Sequence, residues 1–148
     1  MKQEKSNGSK SEAVVNTLVY EQIEVPNSAG AKLVLIDYAE LDVIPPTPVA
    51  ATIITRDAVL IAGKAAPTTA KLSESGAICG RSVVVLGAAG AAEASAVYSA
   101  GEEPMSNPVV LLPESGTGKY YVTVAIKGTN EGAGDTGTVH YHFRFRVQ

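Results

Sequence analysis

Apolar residues occur in short runs along most of the chain, and clusters of proline or glycine close the runs. The runs are rich in Val, Ile, Thr and Tyr, and each is shorter than a usual helix, which favours strands. They cover residues 14–25, 32–44, 49–55, 59–62, 77–86, 94–99, 108–112, 120–127 and 138–147. Many short strands with Gly/Pro turns are typical of a sandwich or barrel. The pattern therefore predicts an all-β fold, an antiparallel β-sandwich.

One stretch allows a helix as an alternative. Residues 88–100 are rich in alanine, which is the best helix former. Glycines flank the stretch, and it lacks an apolar stripe at positions i, i+3 and i+4. These features favour a strand over a helix here.

The last two runs carry the clearest pattern. Along residues 139–147 an apolar set (Val139, Tyr141, Phe143, Phe145, Val147) alternates with a polar set (His140, His142, Arg144, Arg146). A period of two places the first set on the core and the second on the opposite face. In residues 120–126 the even positions are all apolar. The Gly-rich link between the two runs predicts a hairpin with a long loop.

Residues 32–43 show a different pattern. Residues 33–36 form a continuous apolar run, which predicts a central strand covered on both sides, or a strand that enters an interface. The pattern changes near Asp37, and such a change is typical of a β-bulge that re-aims the side chains.

The chain has 148 residues, which suits one domain with a real core. Residues 1–13 are polar and are predicted to form a flexible N-terminal arm, either a plain tail or a segment that orders on a neighbouring subunit. Residues 14–148 are predicted to form the single β-sandwich domain.

Composition narrows the functional classes. The net charge is −3, so contact with nucleic acid is possible but is not indicated by charge. The first ten residues lack the apolar core of a secretory signal, which predicts no secretion by that route. No apolar run approaches the ~20 residues that a membrane-spanning helix needs. The single cysteine, Cys79, excludes an internal disulfide and is predicted to be a small buried residue.

The candidates for chemistry are weak. Residues 115–119 (SGTGK) resemble part of a phosphate-binding loop but precede a strand, so a turn is predicted. His140 and His142 have a spacing that can supply two zinc ligands, but a third ligand cannot be placed from the sequence. Carboxylates occur along residues 37–42 without the cleft that glycoside hydrolysis needs. We therefore expect no catalytic residues, no cofactor and no metal.

The candidate interface is the polar set of the last run, His140, His142, Arg144 and Arg146, called here the basic stripe. It can meet carboxylates on a neighbouring subunit or phosphates of a packaged genome. The alternative is a solvated strand face whose charges prevent edge pairing.

The layout resembles the single jelly-roll proteins of virus or phage particles. The residues behind the resemblance are the polar arm, Leu18–Val25, the proline break after it, the long run Lys32–Val43, and the two runs Lys119–Ile126 and Thr138–Val147. The resemblance implies a jelly roll of about eight strands and a non-catalytic capsid or capsid-decorating (cement) subunit of a virion, assembled in the host cytoplasm. Its partners would be copies of itself, as a homo-oligomer, or a major capsid protein. The alternative is a sugar- or protein-binding β-sandwich module, immunoglobulin-like or tail-associated.

Overall fold

A computed structural model describes residues 2–12, 18–44, 54–64, 66–67, 72, 78–86, 96–100, 108–129 and 137–148. These residues form nine strands: β1 (Lys2–Glu12), β2 (Leu18–Glu24), β3 (Val34–Ile44), β4 (Ile54–Ala62), β5 (Ile78–Leu86), β6 (Ala96–Ala100), β7 (Val109–Leu111), β8 (Tyr121–Thr129) and β9 (Gly137–Val147). The described part of the chain contains no α-helix.

The strands form two antiparallel sheets. The first sheet has four strands in the order β1-β9-β3-β7, and the second has five in the order β2-β8-β4-β5-β6. Both sheets contribute side chains to one apolar cluster, as two packed sheets do. The predicted all-β, antiparallel, sandwich-like architecture is therefore confirmed.

The core lies between the two sheets and follows the alternation of each strand. Phe143 and Phe145 of β9 are fully buried, and they pack with Ile36 of β3 and with Leu60 and Ile126 of the second sheet. Each fully buried side chain of this size stabilises the fold by about 1.5–3 kcal/mol relative to an exposed one. The predicted core positions of β9 are confirmed at Val139, Phe143 and Phe145, whereas Tyr141 and Val147 are partly buried.

The second sheet is also covered on its outer face. Val59, Ile61 and Ala125 point away from the main core and form a second buried cluster with Leu72, which lies in the connection between β4 and β5. This cover explains why β4 is apolar at consecutive positions, since both of its faces are buried.

A β-bulge interrupts β3, as the change of pattern near Asp37 indicated. Ile36 pairs with Phe145 and Tyr38 pairs with Arg144, so Asp37 is the extra residue between two ladder pairs. The bulge changes which alternate positions of β3 face the core. Ile36 faces the core before it, and Ala39 and Leu41 face the core after it.

The predicted hairpin of the last two runs is wrong. β8 pairs with β2 and β4 in the second sheet, whereas β9 pairs with β1 and β3 in the first. The link between β8 and β9 therefore crosses from one sheet to the other. Alternation identifies the buried face of a strand but not its partner, and two strands in opposite sheets bury their apolar faces in the same core.

The N-terminal residues differ from the flexible arm predicted for residues 1–13. Residues 2–12 lie as the edge strand β1, in an eleven-residue antiparallel register with β9 from Lys2 opposite Val147 to Glu12 opposite Gly137. Ladder hydrogen bonds join backbone groups, so a segment without apolar side chains can still pair along an open edge.

Two smaller expectations can be compared with the described residues. Residues 54–55 of one predicted run and the predicted run 59–62 belong to one strand, because Arg56 and Asp57 continue the ladders of β4, and residues 49–53 lie outside the described residues. Residues 96–100 form β6, not the alternative helix of 88–100, whose residues 88–95 lie outside the described residues. The turn predicted over residues 115–118 is confirmed, with positive φ angles of 87° at Gly116 and 66° at Gly118 that suit glycine.

Candidate functional site

The basic stripe lies on the outer face of the first sheet. His140 is exposed, and His142, Arg144 and Arg146 are partly buried, opposite in direction to the buried Phe143 and Phe145. β9 is an inner strand with β1 on one side and β3 on the other. The stripe therefore runs along the middle of a sheet face, where neighbouring strands supply its surroundings.

The two arginines of the stripe bind a carboxylate of their own chain. Nε of Arg144 donates a hydrogen bond to Oδ1 of Asp37 at 2.8 Å. Nη2 of Arg146 lies 2.6 Å from Oδ2 of the same residue, as an ion pair without an aligned hydrogen bond. Asp37 is only 2% exposed. A buried carboxylate needs such partners, because desolvation of an unpaired charge costs several kcal/mol.

Tyr38 of β3 contacts two residues of the stripe. Its ring lies edge-on to the His142 ring, with centroids 5.7 Å apart, and the Arg144 guanidinium carbon is 5.7 Å from its centroid. The Tyr38 hydroxyl donates a hydrogen bond to Oε2 of Glu40 at 3.0 Å. These contacts fix the ring and place the exposed Glu40 carboxylate beside the stripe.

The register places acidic residues of β3 directly opposite the stripe. Glu40 stands opposite His142 and Asp42 stands opposite His140, while Asp37 binds both arginines. Residues directly opposite in an antiparallel pair project to the same face. On the other side of β9, Lys5, Asn7 and Ser9 of β1 stand opposite Arg144, His142 and His140. The outer face thus carries the Glu40 carboxylate beside His142 and the Asp37 carboxylate beside the two arginines.

The sequence indicated the basic stripe and the carboxylates near it but not the contact between them. The basic stripe followed from the alternation of β9, and the carboxylates of residues 37–42 were visible as a group. The pairing of Asp37 with Arg144 and Arg146 was missed, because 107 residues separate Asp37 from Arg144. The bulge was the only local signal, since it marked Asp37 as a position that leaves the regular alternation.

A second feature is a cleft of about 430 Å³ at one end of the sandwich, lined by Ala62–Lys64, Val110, Leu112–Glu114 and Tyr121. Leu112 is 78% exposed and Val110 is 52% exposed. The Lys64 ammonium lies 2.7 Å from Oε1 of Glu114 and 4.9 Å from the centre of the Tyr121 ring. The cleft combines apolar walls with one ion pair, which is the usual composition of a binding pocket.

Hydrogen bonding sets the charges of this cleft. The hydrogen bond from Lys64 and a second one from the Thr117 hydroxyl, at 2.9 Å, lower the pKa of Glu114 below its ordinary value. The hydrogen bond to Glu114 raises the pKa of Lys64. Both groups are therefore charged at neutral pH, and a ligand that enters the cleft meets a closed ion pair.

Cys79 lies in the main core, 3% exposed. Burial raises the pKa of its thiol to about 12, so the nucleophilic thiolate is scarce at neutral pH. The prediction of a small buried residue is confirmed.

Among the described residues, no group of three His, Cys, Asp or Glu side chains is placed to hold a metal ion. No helix in the described part of the chain has the length and apolar character to cross a membrane.

Comparison with known proteins gives no family. No protein-family model matches the chain, and a search of curated proteins finds no significant match. Function is therefore argued from the fold and from the geometry of the outer face and the cleft.

Proposed function

We propose that the protein is a non-catalytic structural subunit of a virus or phage particle, either a capsid protein or a capsid-decorating (cement) protein, with a jelly-roll fold. It acts through protein–protein contacts with copies of itself, with a major capsid protein, or with both. It is part of the virion after assembly in the host cytoplasm.

The nested pairing of the strands is the observation that carries this proposal. β1 pairs with β9, β2 with β8, β3 with β7, and β4 with β5, all antiparallel. The first three pairs alternate between the two sheets. A jelly roll is a long hairpin folded over itself into two four-stranded sheets, and the nested pairs support such a fold, with β6 as one added edge strand.

The role in a particle is supported by the fold and by the outer surface. Jelly rolls occur in viral capsids and also in lectins. The fold alone therefore does not distinguish these functions, and the surface of the protein has to be considered. The described outer face of the first sheet is charged, with Glu40 beside His142 and with Asp37 bound to Arg144 and Arg146. Such a face suits contact with another protein surface better than the enclosure of a small ligand.

The test is the native mass and the form of the purified protein. We expect concentration-dependent assembly in sedimentation velocity and closed or shell-bound particles in electron microscopy. The proposal would be overturned if the protein stayed monomeric at millimolar concentration and did not bind the shell of any capsid offered to it.

The end cleft favours one other function, a sugar- or protein-binding β-sandwich module of the immunoglobulin-like or tail-associated kind. Its volume of about 430 Å³ lies in the range of ligand pockets, and the Tyr121 ring lines it. A glycan array and a peptide array test this function, with Tyr121→Ala as the matched variant. Binding that is lost in the variant would support the module, and an empty array would exclude the classes of ligand printed on it.

A further inference from the structure

We infer that the open edge of β1 pairs with the same edge of a second copy of the chain, antiparallel and with Asn7 opposite Asn7 of the other copy. The two four-stranded sheets then join into one sheet of eight strands. This inference deepens the proposed function and rests on it, because it names the chain itself as the partner and β1 as the contact. The position of β1 in its sheet and the order of charges along it carry the inference.

β1 is the edge strand at one end of the first sheet. The strand order is β1-β9-β3-β7, and among the described residues β1 pairs with β9 alone. That pairing covers all eleven residues of β1, Lys2–Glu12. In an antiparallel ladder a strand directs roughly half of its N–H and C=O groups to each side, so β1 has a second row of these groups directed away from β9. Such a row is a template for pairing with a strand of another chain.

The charges of β1 are complementary to themselves when two copies of the strand run antiparallel about Asn7. Residues at equal distances before and after Asn7 then stand opposite each other, so Lys2 meets Glu12 and Glu4 meets Lys10. Each contact forms twice, because a twofold axis relates the two copies. Directly opposite residues of an antiparallel pair are neighbours on one face, so the register alone decides that these charges meet.

The register centred on Asn7 is the only one that pairs all eleven residues. A shift by one residue in one direction brings Lys5 opposite Lys10, and like charges directly opposite are destabilising. The same shift in the other direction leaves every charged residue opposite an uncharged one. Lysines usually protect an edge strand from pairing. In the centred register Lys10 meets a glutamate and Lys5 meets the uncharged Ser9, so the charges favour this register over its neighbours.

The contact between two copies is expected to be weak and sensitive to salt. β1 contains no aliphatic or aromatic residue, so the pairing depends on backbone hydrogen bonds and on charge pairs. Exposed charge pairs contribute little and are screened by salt. A single dimer should therefore dissociate readily, whereas many such contacts in one particle act together.

Cysteine cross-linking tests the pairing and its register. Asn7→Cys places two thiols directly opposite each other, with Cα atoms about 4.5–5.5 Å apart, a distance that a disulfide spans. We expect oxidation to convert this variant to a covalent dimer on a non-reducing gel. Lys5→Cys or Ser9→Cys alone leaves the two cysteines roughly 13 Å apart along the strands and should stay uncross-linked. A mixture of these two variants should cross-link, because residues 5 and 9 stand opposite each other.

A charge swap tests the complementary charges. Glu4→Lys or Lys10→Glu alone places like charges opposite each other at two contacts, so each variant should dimerise about tenfold more weakly than the wild type in sedimentation velocity at low salt. A mixture of the two variants restores opposite charges and should form a heterodimer. Glu21→Lys is the matched control, since Glu21 is exposed on β2 in the second sheet and the change in charge equals that of Glu4→Lys. It should dimerise like the wild type.

Thermal unfolding of every variant shows whether it is folded, and Cys79 is 3% exposed, so the folded wild type should not cross-link. The inference would be overturned if Asn7→Cys gave no covalent dimer, or if Ser9→Cys alone cross-linked as readily. Unchanged dimerisation of Glu4→Lys would also overturn it. If Glu4→Lys loses the dimer but particles still form, the proposed function stands without this contact. If β1 cross-links as expected but no particle or shell binding is found, the contact stands and the proposed function fails.

Discussion

Removal of the arginines that bind Asp37 should leave its buried carboxylate without these charged partners and destabilise the fold. Two opposite unit charges about 4 Å apart attract by roughly 4 kcal/mol at an effective dielectric constant of ~20, and desolvation of the carboxylate offsets part of this. A hydrogen bond to a charged group contributes about 1.5–3 kcal/mol net. Arg144→Ala should therefore lower the free energy of unfolding by about 2 kcal/mol, since the bond from Arg144 is aligned and its acceptor Asp37 is 2% exposed.

Arg146→Ala should cost less, about 1 kcal/mol, because its side chain is 36% exposed and its contact lacks an aligned hydrogen bond. The double variant leaves the carboxylate of Asp37 buried without either arginine, and such a charge costs about 3–5 kcal/mol. The two substitutions should therefore be more than additive. The addition of Asp37→Ala to the double variant should restore part of the lost stability, because it removes the unpaired charge.

Urea unfolding measures these values, provided that the slope of the transition is the same in all variants. Circular dichroism checks that each variant keeps its β-structure. The reasoning would be refuted if the double variant lost less than about 1 kcal/mol, below the range for an unpaired buried charge. It would also be refuted if the triple variant were less stable than the double one. Either result would mean that solvent reaches the Asp37 carboxylate and replaces the arginines.

Three further outcomes are expected. Phe143→Ala should cost about 3–5 kcal/mol in urea unfolding, because the ring is fully buried. Phe143→Leu, which keeps most of the volume, should cost far less, and equal losses in the two variants would contradict a cost that follows the volume removed. Cys79 should react with maleimide at pH 8 only after unfolding, because burial raises its pKa to about 12; rapid labelling of the folded protein would contradict this. Deletion of residues 2–12 should lower the melting temperature slightly and promote aggregation in light scattering through the open edge of β9. A large loss of stability would show that β1 contributes more to the free energy of folding than its ladder hydrogen bonds with β9.

Arg144→Glu combined with Arg146→Glu would not test assembly alone. The alternation of β9 by itself places both arginines on the outer face, where the substitutions would affect only contacts with another molecule. In the structure both arginines bind Asp37. The double variant would bring three carboxylates together and destabilise the fold, since like charges in close contact repel. Glu40 and His142 are better positions for a test of assembly.

Strands and their buried faces were predictable because they depend on local pattern. The positions Val139, Phe143 and Phe145 followed from a period of two, and the bulge at Asp37 followed from a break in that period. The partners of the strands were not predictable, because ladder hydrogen bonds join backbone groups that every residue has. For this reason the predicted hairpin of β8 and β9 was wrong, and the edge strand β1 was not predicted.

For the candidate site, the sequence determined which side chains share the outer face of β9, and it showed that carboxylates occur along β3. Only the tertiary structure decided that the two strands are neighbours, with Glu40 level with His142 and with Asp37 bound to Arg144 and Arg146. The physical reason is that the alternation of apolar and polar residues is a local pattern of a few residues. The contact between β3 and β9 depends instead on the register between strands about a hundred residues apart in the sequence.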